Sequence, residues 1–379
     1  MNILHIVPGL GDGGAEAFLY RLIINSPDFN HFIISLSDEG KYKNKFGEKG
    51  IKLISFNIKK SNPITWFYLL KIFKLRKRFN FNIVQGWLYH GSFLAAFVSI
   101  LNGNIPLIWS LHNTDLNFGK SSLITIFIDK FLALISNFLK PKIIACADAV
   151  IQTHIKRGYK KDCFKLIYNG YDFSSFIPSK GKSKSSIDFS PKKNLPIIGM
   201  VARFNPYKDH SNLLEALKIV SERHSFYCLL VGTGMNKNNK LLMKQIKDLN
   251  LKNKVILCGA TNRVQDYMNY IDIHVLSSSA EAFPNVLIEA MACGTPCVAT
   301  DVGDVKYILD DCGYLCPPKN SSKLSIAISR ALDDFKNKEF WNQICLKSRN
   351  SVLKRFSINI CKNRYAKLWN DFYNASNNL

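Results

Sequence analysis

At 379 residues, with 47% hydrophobic and 21% charged side chains, the chain has an ordinary globular composition. That excludes a disordered tail, a collagen-like rod and a small disulfide-stapled scaffold, and the length predicts two domains. Lysine and arginine number 51 against 28 acidic residues, a formal +23, which predicts attraction to polyanions: nucleic acid, an acidic membrane surface or phosphorylated substrates.

The N-terminus MNILHIVPGL has no basic leader before its apolar run; it predicts a first buried strand rather than a signal peptide, and with it a cytoplasmic protein. Short β-branched runs then alternate with helical patterns. Strands are expected at 2–7, 31–36, 51–56, 82–85, 106–111, 143–146 and 165–168, the pattern of a parallel, doubly wound sheet. The longest apolar stretch, 123–139, is shorter than the roughly 20 residues of a membrane span and carries Asp129 and Lys130 in its middle. A buried or interfacial helix is expected there. From 172 to 196 the periodicity gives way to a Ser-, Lys- and Pro-rich segment that reads as an interdomain linker. A second series follows, with strands at 197–201, 226–231, 254–258, 273–276 and 296–299 and helices such as 211–223 between them. The reading is α/β: two Rossmann-like domains facing across a cleft, spanning 1–178 and 190–356. The last helical pattern, 357–379, has no sheet left to cover and is expected to cross back to the first domain. The ten cysteines include the pairs Cys293/Cys297 and Cys312/Cys316 but no CxxC spacing, so buried, reduced thiols are expected rather than a zinc ribbon.

Three segments carry chemistry. Gly9-Leu-Gly11-Asp-Gly13-Gly14 follows the first strand with GxGxxG spacing and opens a helix, which lets backbone amides approach a phosphate or a sugar. Asp38 lies where a dinucleotide site wants an acidic residue, so NAD binding stays open beside a tight turn with no ligand. Arg203 and Lys208 stand just past the first strand of the second domain, the edge at which doubly wound sheets bind ligands. They are either a phosphate grip or solvated loop cations. In Glu281-Ala-Phe283-Pro284-Asn285-Val286-Leu-Ile-Glu289, Pro284 suits a first helical turn, whose amides at Asn285, Val286 and Leu287 would attract an anion. Glu281 and Glu289 are either ligand contacts or dipole partners of that helix.

The segment EAFPNVLIEAMACG resembles the E-x7-E signature of retaining glycosyltransferase family 4, whose members have the GT-B architecture of two Rossmann-like domains. The resemblance extends over nearly the whole chain: GDGGAEAFLYRL is similar to the family's glycine loop, QGWLYHG to its fourth-strand region, SLHNTD to the histidine after the fifth strand, IYNGYD to the segment before the linker, VARFNPYKDHSNLLEAL to the basic loop and VATDVGD to the stretch after the signature helix. It implies a nucleotide-diphosphate sugar held mostly by the second domain. Arg203 and Lys208 would neutralise the diphosphate, Glu289 would bind the ribose hydroxyls, and Glu281 with the backbone of Phe283, Pro284, Asn285 and Val286 would bind the sugar. Gly13 and Gly14 would let the first loop close on the donor, and His112 matches the family histidine that contacts the donor sugar or its phosphate. The sequence departs from the family at Ala282, where many members have Gly, and at Tyr307, where many have Glu.

Between 62 and 79, Lys71, Lys74 and Arg78 fall on one helical face with Tyr68, Leu69, Ile72, Phe73 and Phe79 opposite, which fits either docking to anionic lipid or a solvated sheet cover. The expected activity is therefore that of a retaining glycosyltransferase moving a sugar from a nucleotide-diphosphate donor, a UDP-sugar, to a glycan on a polyprenyl-diphosphate carrier. It would work in bacterial surface polysaccharide assembly, at the cytoplasmic face of the inner membrane. Neither a cofactor nor a metal is expected, since no Asp is followed two positions later by another Asp, and no nucleic acid is expected as partner. An NAD-dependent oxidoreductase and a charge-driven nucleic-acid binder are the alternatives. Neither gives Glu281, Glu289, Arg203 and Lys208 a joint purpose.

Overall fold

The computed structural model describes residues 1–11, 13–37, 40–58, 80–112, 122–179, 189 and 195–377. Lys71, Lys74, Arg78 and Asp38 lie outside the described residues. The chain divides into two compact units, the first made of Met1–Tyr171 with Ile358–Leu379 and the second of Asp172–Ser357.

Unit 1 runs β1 (Asn2–Val7), α1 (Gly14–Ile24), β2 (Asn30–Ser35), α2 (Lys43–Gly47), β3 (Lys52–Ser55), β4 (Ile83–Trp87), α3 (Leu88–Leu101), β5 (Leu107–Leu111), α4 (Leu123–Leu139), β6 (Lys142–Ala145), α5 (Asp148–Lys156) and β7 (Phe164–Leu166). Its strands are parallel in the order β3-β2-β1-β4-β5-β6-β7. β4 and β5 are buried along their whole length, as strands covered by helices on both faces must be. The approach of α3 is close: a Cβ on Gly91 would come within 2.3 Å of the Ile6 carbonyl, so the second glycine of QGWLYHG lets the helix lie on β1.

Unit 2 runs β8 (Ile197–Val201), α6 (His210–Val220), β9 (Tyr227–Val231), α7 (Lys240–Asp248), β10 (Val255–Gly259), α8 (Val264–Tyr270), β11 (Ile273–Leu276), α9 (Asn285–Ala292), β12 (Cys297–Thr300), α10 (Val305–Leu309), β13 (Gly313–Cys316), α11 (Ser321–Lys336) and α12 (Lys338–Phe356). Its parallel order is β10-β9-β8-β11-β12-β13. The edge strand β13 was not expected from the sequence. It is four residues long between Asp310-Asp311 and Pro317-Pro318, too short for its periodicity to stand out.

The last helix, α13 (Ile358–Asn377), belongs to unit 1. Tyr365 and Trp369 are completely buried in its core, and the Trp369 Nε1–H donates to Gln85 Oε1 at 2.9 Å. The unit boundary falls earlier than the expected end of the first domain. Residues 172–178 pack with unit 2, where Arg349 donates to the Phe176 carbonyl (2.9 Å) and Asn269 to that of Ile177 (3.1 Å). All ten cysteines are free thiols. Among the described residues no helix is long and apolar enough to cross a membrane.

Candidate functional site

In each sheet the strand order reverses once, between β1 and β4 in unit 1 and between β8 and β11 in unit 2. Helices on either side of such a reversal leave to opposite faces and open a crevice at the carboxyl ends of the two strands. The candidate residues collect at these two edges.

At the unit 1 edge, β1 leads into the glycine loop, and Gly13 is the N-cap of α1 in ordinary extended backbone. Gly14 is the first residue of that helix. A side chain on Gly13 would collide with the Glu16 carboxylate (2.0 Å from Oε2), so the glycine leaves room for an acid in the first turn of the helix, where its charge suits the dipole. Pro8, Gly9, Glu16, Trp87 and Leu88 line one small hollow. Leu88, directly after β4, has φ +55°, a left-handed conformation that is strained for a branched side chain.

Behind Trp87 lies a directional chain of hydrogen bonds. The indole Nε1–H donates to His5 Nδ1 at 3.2 Å, His5 Nε2 meets His31 Nδ1 at 2.9 Å, and His31 Nε2 meets the Ser26 carbonyl at 3.1 Å. An indole can only donate. His5 Nδ1 must therefore accept, its proton sits on Nε2, and the same reasoning puts the His31 proton on Nε2. Both rings are neutral, because burial holds His5 well below the ordinary imidazole value and lowers His31 to about 4.

His112, the residue after β5, stacks on Trp87 with ring centroids 5.5 Å apart and lies 5.8 Å from the Phe18 ring. Part of the ring is accessible, but both nitrogens are buried without a hydrogen-bond partner among the described residues. Burial lowers its pKa to about 4. A neutral imidazole donates through one nitrogen and accepts through the other.

The unit 2 edge is built from charge. Ala202 and Phe204 donate their amides to the Val231 and Thr233 carbonyls (2.8 and 2.7 Å). This holds the loop beyond β8 in place, and Arg203 between them is exposed. Lys208 ends a turn of 3₁₀ helix, Pro206–Lys208, capped by Asn205. Asp209 follows at φ +49° and caps α6 by accepting from the Asn212 amide. The segment after β11 is fastened to that turn: the Ser277 hydroxyl is within 2.9 Å of both the Lys208 and Asp209 carbonyls, and the Ser279 amide donates to the Tyr207 carbonyl at 2.7 Å. Lys208 Nζ thereby meets Glu281 Oε1 at 2.5 Å, and the Ser278 hydroxyl donates to the same oxygen at 2.7 Å. The ion pair is 21% and 14% exposed, dry enough for charge to count and open enough to be reached. His210 and His274 underneath are neutral, lowered to about 4 and about 3 by burial and then by Lys208.

Gly303 grips the other side of Glu281. With φ +55°, it lies so close that a Cβ would come within 2.2 Å of the Glu281 carbonyl, and the Asp304 amide bonds the Ala282 carbonyl at 3.1 Å. Pro284 is the N-cap of α9 and not part of its first turn, and the Leu287 amide, expected to be open, donates to the Pro284 carbonyl at 3.3 Å. A proline can start a helix from either position, since it has no N–H to satisfy. Of the amides expected to attract an anion, that of Leu287 is therefore engaged at the start of the helix itself. Phe283 buries its ring against Phe356 (5.4 Å), so only its backbone can meet a ligand. Glu289 is half-buried inside α9. Tyr307, where the family often has Glu, packs under the Arg355 guanidinium (5.2 Å) and against Phe356. Trp87, Ser277 and Ser278 were not singled out from the sequence. The serine run directly after a strand was the available signal.

Residues 12–175 match the family model described as Glycosyltransferase Family 4, and residues 182–344 that described as Glycosyl transferases group 1. The chain is 25% identical over 309 residues to the Escherichia coli UDP-Gal:alpha-D-GlcNAc-diphosphoundecaprenol alpha-1,3-galactosyltransferase, covering 76% of this chain and 75% of that one. It is 24% identical over 281 residues to the N-acetyl-alpha-D-glucosaminyl L-malate synthase of Bacillus anthracis, covering 72% and 69%. The crystal structure of Anabaena HepE in complex with UDP superposes with a TM-score of 0.81 at 21% identity, over 98% of this chain and 100% of that one. With both halves matched in order and two doubly wound units of GT-B architecture, the chain belongs to glycosyltransferase family 4.

Proposed function

We propose that this glycosyltransferase takes a UDP-sugar and transfers its hexosyl or N-acetylhexosaminyl group, with retention and without a metal, to a polyprenyl-diphosphate-linked glycan. Its setting is bacterial surface polysaccharide assembly of the O-antigen or capsule type, with the anionic cytoplasmic face of the inner membrane as the workplace. The observation that carries the donor reading is the Lys208–Glu281 pair at the unit 2 switch point, with Arg203 exposed in the loop that leads to Lys208. A departing diphosphate needs preorganised positive charge. Lys208, Arg203 and the amides at the start of α9 supply it, Glu281 is positioned for sugar hydroxyls, and Glu289 is assigned to the ribose. His112 is neutral at pH 7, which suits a hydrogen bond to a sugar hydroxyl better than neutralisation of phosphate. Gly13 and Gly14 leave α1 open to the donor. The anomeric carbon–diphosphate bond breaks as the acceptor oxygen bonds on the same face, and the acceptor proton passes to the departing diphosphate oxygen. A lipid-linked acceptor is supported by the activity for which the E. coli relative is named, while the relative named as an L-malate synthase makes a small hydroxy acid the competing acceptor.

The test is thermal unfolding with UDP and with NAD, followed by transfer assays. UDP at a hundred times its dissociation constant should add about 2.7 kcal/mol, and stabilisation by NAD alone would overturn the reading. Transfer from an α-UDP-sugar to undecaprenyl-diphosphate-GlcNAc, and not to L-malate, should give an α-linked product by NMR. A β-linked product would defeat the retaining assignment.

A further inference from the structure

α4 has two unlike faces. Inward, Ile128, Leu132 and Ala133 are buried, and Asp129 accepts a hydrogen bond from the Tyr159 hydroxyl at 2.9 Å. Outward, Leu123, Ile124, Phe127, Leu134 and Phe138 are 72, 63, 68, 60 and 75% exposed. Leu123, Phe127, Leu134 and Phe138 follow the helical repeat and line one stripe about 22 Å long, with the exposed Lys130 in its middle and Ile124 to one side. Water is a poor neighbour for so many large side chains together, and such a surface marks an interface. The ridge is also preformed. Ser122 caps the helix by accepting from the Thr125 amide, and Lys140 closes it in the left-handed conformation.

Charge decides what the ridge meets. Lys130 is exposed on α4, and Lys140 and Lys142 are exposed just past its end. The only carboxylate in the helix sequence, Asp129, is turned inward. A second copy would set the same lysines, and a net +23, against themselves. An anionic bilayer complements both features, since its acyl boundary takes the apolar ridge and its phosphates take the ammonium groups.

We propose that α4 lies in the interface of an anionic lipid bilayer, with Phe127, Leu134 and Phe138 below the headgroups and Lys130, Lys140 and Lys142 at the phosphates. The proposal rests on the lipid-linked acceptor reading and names the surface that brings the enzyme to such an acceptor.

The full chain is mixed with vesicles of equal parts phosphatidylglycerol and phosphatidylcholine and sedimented. Phe127→Ser combined with Leu134→Ser should lower the bound-to-free ratio about ten-fold or more, an effect that persists at high salt. Lys130→Ala should lower it by up to about five-fold, and only at low salt. Phe127→Trp should add an emission component that shifts to the blue on vesicle binding. Unchanged partition of the double variant overturns the proposal, as does a dimer in sedimentation velocity that the double variant disrupts. UDP affinity, read on the same samples, should be equal in all variants. Its absence in the wild type would refute the donor reading while leaving the vesicle result to stand alone.

Discussion

After β4 the chain turns into its helix through Trp87 and a left-handed Leu88; after β8 it does so through Lys208 and a left-handed Asp209. Trp87 is backed by two neutral histidines and faces a third, His112, whose nitrogens are buried without partners among the described residues. Lys208 is backed by neutral histidines too, yet it faces a carboxylate. A seven-stranded and a six-stranded sheet that reverse at corresponding strands thus differ in what stands at the turn: stacked neutral rings in unit 1 and a lysine–glutamate ion pair in unit 2.

The comparison is broken most severely at the charged edge. Lys208→Ala or Glu281→Ala should lower kcat by about 100- to 1,000-fold, and the double variant should cost less than the sum because the two groups share one interaction. Steady-state kinetics of all three variants checks this; additive losses would mean that the two groups act independently of their ion pair. Glu289→Ala should instead raise the donor KM about ten-fold with little change in kcat, since it is assigned to uniform binding of the ribose.

At the neutral edge the expected loss is mainly of stability. Trp87→Phe keeps the ring against His112 but leaves His5 Nδ1 buried without its donor, which should cost about 1–3 kcal/mol, read as a lower midpoint in urea. Trp87→Phe at wild-type stability would show that the hydrogen-bond chain is not what fixes the edge.

Acid sharpens the contrast. The folded-state pKa values of His5, His31, His112 and His154 in unit 1 lie below 6.5, at about 4 for the last three, because burial disfavours the imidazolium. As pH falls below 6.5 the unfolded chain takes up protons that the folded chain refuses. Stability is therefore fully present above about pH 6.5 and is lost progressively toward pH 4, by about 2 kcal/mol for each such histidine at pH 5. Unit 2 holds two comparable groups, His210 and His274. Calorimetry between pH 7.5 and 5 should show the melting temperature falling, and in a resolved two-step transition the unit 1 step should fall further. The smallest effect is expected from excess EDTA. It should leave the transfer rate unchanged, because the charges assigned to the diphosphate are side chains and amides that a chelator cannot remove.

What the sequence determined by itself is local. Strands β1, β8 and β11 lie at the residues their β-branched runs predict, and the placement of Gly13, His112, Lys208 and Glu281 beyond strand ends follows from those runs, because alternation and turn chemistry act over a few neighbours. The glutamates of the E-x7-E signature were legible as a pattern, one before the helix and one inside it, but the partner of Glu281 was not: it bonds a lysine 73 positions away. Trp87 finds His5 across 82 positions, and Trp369 finds Gln85 across 284. Such partners are chosen by the order in which strands enter the sheet and by which helix has no sheet of its own left to cover. Only the folded chain decides that, because burial makes each of these polar groups accept whichever partner the packing brings within reach.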